Sequence, residues 1–212
     1  MLGMLARNQH RKEQPARLLK EITRMETMRD MIKVQAPQAV PERYAEALNF
    51  LRNPAFLGSA RHQAQHWRAE RAGAHADILA FERAFIRRFK RLGVPMFAHC
   101  VQRSEATQLR HFAAGTTNAR PGQSPHNHGK AVDLVHGIRA WDIPRPAWDL
   151  VGHIGKEVAR TLGVKVRWGG DFKSLYDPAH WELEDWVHYP IEPVVSDALL
   201  DEVLRQWAGT AV

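Results

Sequence analysis

The sequence predicts an α+β protein in which helices pack on a small, mainly antiparallel sheet and a helical extension precedes both. Short apolar segments with strand character alternate with longer segments whose apolar residues recur at helical spacing. With 212 residues and 44% hydrophobic content, the chain can bury one good core and carry an appendage. No internal repeat or low-complexity tract interrupts this pattern.

The first predicted domain, residues 1–73, is the helical N-terminal extension. Residues 15–34 carry leucine, isoleucine and methionine at helical spacing. Residues 35–41 form a linker, since two prolines interrupt helix propagation there. Proline is favoured in the first turn of a helix, so a second helix is predicted over residues 41–52.

The second predicted domain, residues 74–212, begins with a long helix over residues 74–92. This helix has a phenylalanine-rich stripe and is followed by a glycine that stops it. A strand over residues 94–101 and a short helix over 105–112 follow. Residues 113–123 are small and polar, which predicts a loop.

The rest of this domain continues the alternation. Residues 131–135 form a short buried strand, and residues 145–162 an amphipathic helix that ends at a glycine. A strand over residues 164–168 comes next. Leucine, valine and tryptophan at helical spacing between residues 199 and 207 predict a C-terminal helix.

Two polar segments in this domain have the residue types of a split zinc site. The first provides an imidazole at His126 and a carboxylate at Asp133, and the second an imidazole at His180. Such a His2Asp set leaves the fourth tetrahedral position open to water, as in catalytic zinc sites. Asp133 lies among apolar neighbours, where a carboxylate is costly to bury unless a positive group meets it.

A salt-bridged aspartate beside a loop histidine is the alternative interpretation of such a pair taken alone. Two further residues favour the metal site. Asp177 precedes His180 by three residues, close enough to act as a general base. Arg103 lies where a strand gives way to a helix, and can present its guanidinium to a developing oxyanion.

Other histidines fit a metal site less well. His128 forms His-x-His with His126, but the glutamate expected of a cupin-type site does not follow, so we expect a contact with substrate instead. His62 and His66 lie four residues apart on a helix without the glutamate of a His-Glu-x-x-His site, and we expect both to be solvated. His99 could lie near the site without an assigned role.

The order of these motifs resembles that of the zinc D-alanyl-D-alanine carboxypeptidase and L-alanyl-D-glutamate endopeptidase family. The resemblance covers roughly residues 75–190 and rests on four motifs, which are Arg103-Ser…Gln108, Ser124-x-His-x-x-Gly-x-Ala-x-Asp133, Trp168-Gly-Gly-Asp-Phe172 and Asp177-x-x-His-Trp-Glu182. Members of this family cut peptidoglycan stem peptides, and many are phage endolysins. The resemblance implies that peptidoglycan is the main partner and that the sheet holds zinc at its centre.

The resemblance also implies individual roles. One zinc ion per chain would be bound by His126, Asp133 and His180, with Asp177 as catalytic base and Arg103 as transition-state stabiliser. A further set of residues is expected to bind substrate or to support the site through hydrogen bonds. This set consists of Ser124, Gln108, His128, Asp171 and Glu182.

The residue at the base position helps to choose the bond cut. In this family the carboxypeptidases usually have glutamate there, whereas endolysin-like endopeptidases have aspartate, as at Asp177. The resemblance therefore favours hydrolysis of the L-Ala–D-Glu bond over removal of a terminal D-Ala. A virion protein that opens the wall during infection, and a binding module without catalysis, remain alternatives.

Charge and cysteine content indicate where the protein acts. Residues 1–100 hold 18 Lys and Arg against 9 Asp and Glu, which favours anionic envelope polymers as partners of the N-terminal region. Docking of its helices to phage virion proteins is the alternative. Nucleic acid is not an expected partner, since no nucleic-acid motif or aromatic ladder accompanies the arginines.

Cys100, the single cysteine, is expected to be a small buried hydrophobe.

Localisation follows from the lack of a targeting pattern. No apolar run reaches membrane-spanning length, and residues 1–5 are too short for a signal-peptide core. A single cysteine also permits no internal disulfide, which fits a reducing compartment. We expect synthesis in a host cytoplasm without a signal peptide, followed by action at the cell wall or periplasm or carriage in a phage particle.

Overall fold

A computed structural model describes residues 44–209, all of which belong to one compact unit that spans residues 40–212. The predicted helix over residues 15–34 and the linker at 35–41 lie outside the described residues. In chain order the elements are α1 (Ala45–Leu51), α2 (Pro54–Leu57), α3 (Ala60–Gln65), α4 (Ala76–Arg91), β1 (Met96–Cys100), α5 (Glu105–Ala113), β2 (Ala131–His136), α6 (Arg145–Leu162), β3 (Val166–Trp168), β4 (His180–Leu183) and α7 (Asp197–Gly209).

The sheet has four strands in the order β1-β2-β4-β3, and each neighbouring pair is antiparallel. The predicted α+β class with a small antiparallel sheet is confirmed. In the register, Asp133 on β2 faces Cys100 on β1 and His180 on β4. Because side chains alternate along a strand, these three residues lie on the same face of the sheet.

The opposite face of the sheet packs on α4 and α6 and forms the core. Trp181 of β4 is fully buried there, with its ring 5.2 Å from Phe81 and 5.8 Å from Phe85. Gly155 of α6 makes this approach possible, since a Cβ at that position would lie 2.3 Å from the Trp181 indole. Packing against the core therefore fixes β4 from one face of the sheet. His180 and Glu182, on either side of Trp181, point to the opposite face, where the site lies.

Residues 44–66 pack against the end of the antiparallel β1–β2 pair at which β1 begins and β2 ends. Leu51 is fully buried and its carbonyl accepts a hydrogen bond from His136 Nε2 at 2.9 Å, while Gln65 Nε2 donates to Gly137 O at 2.7 Å. The expectation that His62 is solvated is wrong, since it is only 3% exposed in this joint. A domain boundary at residue 73 stays a prediction.

The predicted elements agree with the structure to within a few residues at their ends. The first long helix begins at Ala76 rather than residue 74, because the His75 side chain caps it by accepting from the Asp77 amide. Strand β4 was missed, since its four residues include a histidine and a glutamate and so lack an apolar alternation. Among the described residues, none of the helices is long and apolar enough to cross a membrane.

Candidate metal centre

His126 is positioned by a short capped turn. Ser124 Oγ accepts from the His126 amide at the start of the 3-10 turn Pro125–His128, which ends at Gly129 in a left-handed conformation. The His126 ring is close to Val101 O through Nδ1 at 2.8 Å. Because a carbonyl can only accept, Nδ1 carries the proton and donates it, which leaves the Nε2 lone pair free to bind a metal.

His180 is oriented in the same way by a carboxylate. Its Nε2 lies 3.2 Å from Glu182 Oε2 on the same face of β4, so Nε2–H donates to the carboxylate. This arrangement leaves Nδ1 free and turned towards β2. Asp133 lies opposite His180 in the register and completes the group with its Oδ1.

The three donor atoms form a nearly equilateral triangle. His126 Nε2 lies 3.1 Å from Asp133 Oδ1, His180 Nδ1 lies 3.0 Å from the same oxygen, and the two nitrogens are 3.2 Å apart. Bonds of about 2.0–2.1 Å at tetrahedral angles would place zinc ligands roughly 3.3 Å from one another. The spacing and the mixed nitrogen and oxygen donors therefore fit a zinc ion.

The electrostatics of the three side chains show that the cluster attracts a cation. Burial alone would lower the pKa of His126, but the charge and hydrogen bond of Asp133 outweigh burial and raise that pKa to about 10. Burial opposes, and both histidines favour, the charged form of Asp133, so its pKa falls well below the usual range. A metal ion would replace the proton that the cluster otherwise holds.

Asp177 lies beside this triangle. One of its carboxylate oxygens is within 4.8 Å of the donor atoms of Asp133 and His180. Burial raises its pKa, and the negative charge of Asp133 raises it further. Its backbone is fixed against Gly169, whose carbonyl accepts from the Asp177 amide at 3.1 Å and where a Cβ would lie 2.2 Å from Asp177 O. A half-buried carboxyl group with a raised pKa suits a general base.

Arg103 reaches the triangle from the opposite side. Its NH2 donates to Asp133 Oδ2 at 3.2 Å, and its NH1 donates to Gln108 Oε1 at 3.0 Å. Gln108 is fully buried and also donates to Ala119 O at 2.8 Å. The guanidinium is thus held at the edge of the site by a carboxylate and an amide, with part of its surface in the cleft.

The remaining predicted site residues have different positions. The His128 ring faces away from the triangle, since Nε2 bonds Gly122 O at 2.9 Å and the ring stacks on Trp186. Asp171 lies at the rim of the cleft and forms an ion pair with Lys156 of α6. Their roles towards substrate stay predictions.

Two residues near the site were not anticipated. Arg167 on β3 faces Glu182 in the register and its NH1 lies 3.2 Å from Glu182 Oε1. Alternation along β3 gives the signal, since Trp168 points into the core and its neighbour must point to the site. Cys100 was expected to be buried but is partly exposed, with Sγ 3.7 Å from His126 Nδ1.

These residues line an open cleft of about 1630 Å³ that crosses the face of the sheet. The triangle lies in its middle, on β2 and β4. Residues at the β1 edge form one end, and residues at the β3 edge form the other. An extended ligand bound across the strands would therefore have its middle beside the three donor atoms.

Residues 117–183 match the family model described as D-alanyl-D-alanine carboxypeptidase. This segment contains all three members of the triangle and Asp177. The match covers about a third of the chain and shows that this segment is similar to the peptidase family. Arg103 lies upstream of the matched segment, so its position in the site is known from the fold and not from the match.

The chain is also similar to a curated protein and to a solved structure. The chain is 36% identical over 78 residues to peptidoglycan L-alanyl-D-glutamate endopeptidase CwlK of Bacillus subtilis strain 168, covering 32% of this chain and 43% of that protein. The chain thus spans less than half the length of this curated relative. The crystal structure of Serratia marcescens L-Ala D-Glu endopeptidase ChiX is 28% identical, with 59% of this chain and 87% of that chain covered and a TM-score of 0.46.

Proposed function

We propose that this protein is a zinc-dependent peptidoglycan endopeptidase that hydrolyses the L-Ala–D-Glu bond of the stem peptide. The observation that carries the proposal is the triangle of His126, Asp133 and His180, whose edges of 3.0–3.2 Å fit a tetrahedral zinc ion with one open position. The match of residues 117–183 to a peptidase family model supports the reaction class.

The chain's own residues account for the proton transfers of such a reaction. Zinc, when bound, supplies a Lewis acid that activates water for attack on a peptide carbonyl. Asp177 accepts the proton from the attacking water and delivers it to the amine that leaves when the C–N bond breaks. Arg103 donates hydrogen bonds to the negative charge that develops on the carbonyl oxygen.

Two observations favour cleavage of the L-Ala–D-Glu bond, namely the residue type at the position of the catalytic base and the similarity to the CwlK protein. Asp177 stands where endolysin-like endopeptidases have aspartate, and the CwlK protein is named an L-alanyl-D-glutamate endopeptidase. Removal of a terminal D-Ala is the second candidate, since the matched family model carries the carboxypeptidase description. The two reactions leave different products, which makes them separable.

Mass spectrometry of digested muropeptides tests the proposal. Cleavage as proposed yields peptides with a new N-terminal D-Glu and leaves L-Ala on the glycan, whereas carboxypeptidase action releases free D-Ala. A chelator should abolish the products and added zinc should restore them. His180→Ala should lose both activity and tight zinc binding, with circular dichroism to verify the fold. Release of D-Ala alone would replace the endopeptidase proposal with the second candidate.

We further propose that the protein acts as a phage lysin, either released into the host or carried in the virion. The resemblance to endolysins and the positive charge of residues 1–100 support this role, since a basic surface concentrates an enzyme on an anionic envelope. Detection of the protein in purified phage particles would identify a virion component. Its absence from particles, with lysis of cells from within, would identify a released lysin.

A further inference from the structure

The two ends of the cleft differ in chemistry. The β3 end carries cationic side chains at Lys156, Arg167 and Lys173. The β1 end has the aromatic pair of His99 and Trp141 instead. A ligand that spans the triangle is therefore offered positive charge on one side and an aromatic surface on the other.

A β-bulge in the edge strand β1 positions the aromatic pair. Register shifts along β1 from Ala98 facing Leu134 to Cys100 facing Asp133, so His99 is the extra residue of a β-bulge. Trp141 meets the His99 ring edge to face, with centroids 4.7 Å apart and planes at 75°. The packing fixes the indole, yet Trp141 remains 46% exposed and lines the cleft.

We propose that Trp141 and His99 form a subsite for the N-acetylmuramyl sugar to which the stem peptide is attached. The proposal rests on the proposed L-Ala–D-Glu cleavage. A pyranose ring has an apolar C–H face that packs on an exposed indole, whose large rigid surface buries well at little entropic cost. Since the sugar joins the stem through the amine side of L-Ala, the scissile bond would lie next to it, over the triangle.

Charge selects this direction of binding over the reverse. The N-terminal side of the scissile bond consists of L-Ala, its lactyl amide and the sugar, all neutral, whereas the C-terminal side begins with D-Glu, which carries a free carboxylate. At the β3 end Lys156 pairs with Asp171 and Arg167 with Glu182, and Lys173 adds a further positive charge, so the excess charge there is positive and suits that carboxylate. At the β1 end Glu70 lines the cleft and would repel it. The cleft volume of about 1630 Å³ also exceeds the roughly 300–1,000 Å³ typical of small-molecule pockets, as a glycopeptide requires.

Paired substrates test the subsite. The first is a stem tripeptide whose L-Ala nitrogen carries N-acetylmuramic acid, and the second is the same tripeptide with an acetyl group there, so neither has a free amine. Wild-type protein should cleave the first with the higher kcat/KM. Trp141→Ala should reduce that preference by about 10-fold, the lower range for losing one apolar contact surface in a pocket. Trp141→Phe should restore part of it.

A matched control variant comes from the same chain. Trp67 is 85% exposed and does not line the cleft, so Trp67→Ala removes an equal side chain and should leave the preference unchanged. An unchanged preference in Trp141→Ala, or an equal loss in Trp67→Ala, would overturn the subsite.

Binding of N-acetylmuramyl-L-alanine separates this proposal from the proposed function. This ligand lacks the scissile bond, so calorimetry reports on the subsite even if turnover fails. Weaker binding to Trp141→Ala than to wild type and Trp67→Ala supports the subsite. If the wild type binds the ligand but cleaves neither tripeptide, the subsite stands and the proposed bond is wrong. If it cleaves both equally and binds no ligand, the subsite is wrong.

Discussion

At the scale of residues, the side chains of the site orient one another through a series of hydrogen bonds and ion pairs. Nδ1 of His180 faces the triangle, Nε2 donates to Glu182, and the other oxygen of Glu182 meets Arg167. Glu182 is buried, so Arg167 offsets the cost of its charge. The imidazole is thereby held in the tautomer that a metal requires.

Replacing Asp177 with asparagine separates the base from the ligands. Asp177→Asn keeps the size of the side chain and removes the charge that accepts a proton, so turnover should fall by about 100-fold or more while zinc stays bound. Arg103→Ala should also lower turnover and leave zinc bound, because Arg103 contacts Oδ2 of Asp133, whereas the donor oxygen in the triangle is Oδ1. Zinc content by mass spectrometry and peptide hydrolysis measure the two effects. Near-normal turnover in Asp177→Asn would contradict its assignment as base.

Glu182→Gln tests the support of His180. The amide removes the negative charge that receives Nε2–H and leaves Arg167 without its ion pair, so zinc affinity should fall by about 10-fold or more. Competition with a chelator measures the affinity. The control is Glu184→Gln, since Glu184 is exposed on the same segment and should change nothing. Equal affinities in both variants would show that Glu182 does not support the ligand.

At the scale of elements, close packing between α6 and the sheet determines where β4 lies. Gly152 and Gly155 let the indoles of Trp168 and Trp181 approach the helix backbone, since a Cβ at either position would lie within 2.4 Å of an indole atom. Trp181 stands between His180 and Glu182 in the sequence. A shift of Trp181 would therefore move His180, the proposed metal ligand, together with Glu182, which orients it.

The Gly155→Ala variant tests how much this close packing contributes to the stability of the fold. Gly155→Ala places its Cβ against Trp181 and Phe85, both buried and unable to yield easily, and should destabilise the fold by about 1–3 kcal/mol. Gly58→Ala is the control, because nothing lies within 4 Å of a Cβ there. Urea unfolding compares the two. A stability of Gly155→Ala equal to that of Gly58→Ala would show that the helix moves aside without cost.

At the scale of the molecule, the joint between residues 44–66 and the sheet contains three histidines. Burial lowers the pKa of His62, His66 and His136 from their ordinary value. The folded state therefore binds protons at these sites less readily than the unfolded chain. Their contribution to stability is complete above pH 6.5 and declines as the pH falls below that value.

The joint should weaken in mild acid. With metal removed by a chelator, the free energy of unfolding of the wild type should fall between pH 7 and pH 5. The free energy of unfolding of His62→Gln should fall less, because its unfolded chain has one histidine fewer to bind a proton. His126 acts in the opposite sense, since its pKa is raised to about 10 and its contribution is lost as pH rises towards that value. The comparison between variants isolates His62. Identical pH dependence in both proteins would show that His62 does not titrate in the joint.

Sequence patterns alone predicted the fold class, which the structure confirms, and the three residues that it brings together as the triangle, whose role as metal ligands stays a prediction. Periodicity located α4 and α6 because their apolar stripes are long, and the polar segments identified His126, Asp133 and His180 because metal ligands are few in type. Proximity of Asp177 to His180 also followed, since three residues of chain hold them together.

The residues that complete the site from distant parts of the chain emerge from strand pairing and helix packing. Arg167 meets Glu182 through strand register, and His62 is buried because α1–α3 fold onto the antiparallel β1–β2 pair. Likewise, the bulge in β1 brings His99 to Trp141, some forty residues away along the chain. Local patterns report the spacing of neighbours along the chain, whereas these contacts depend on the pairing and packing of separate elements.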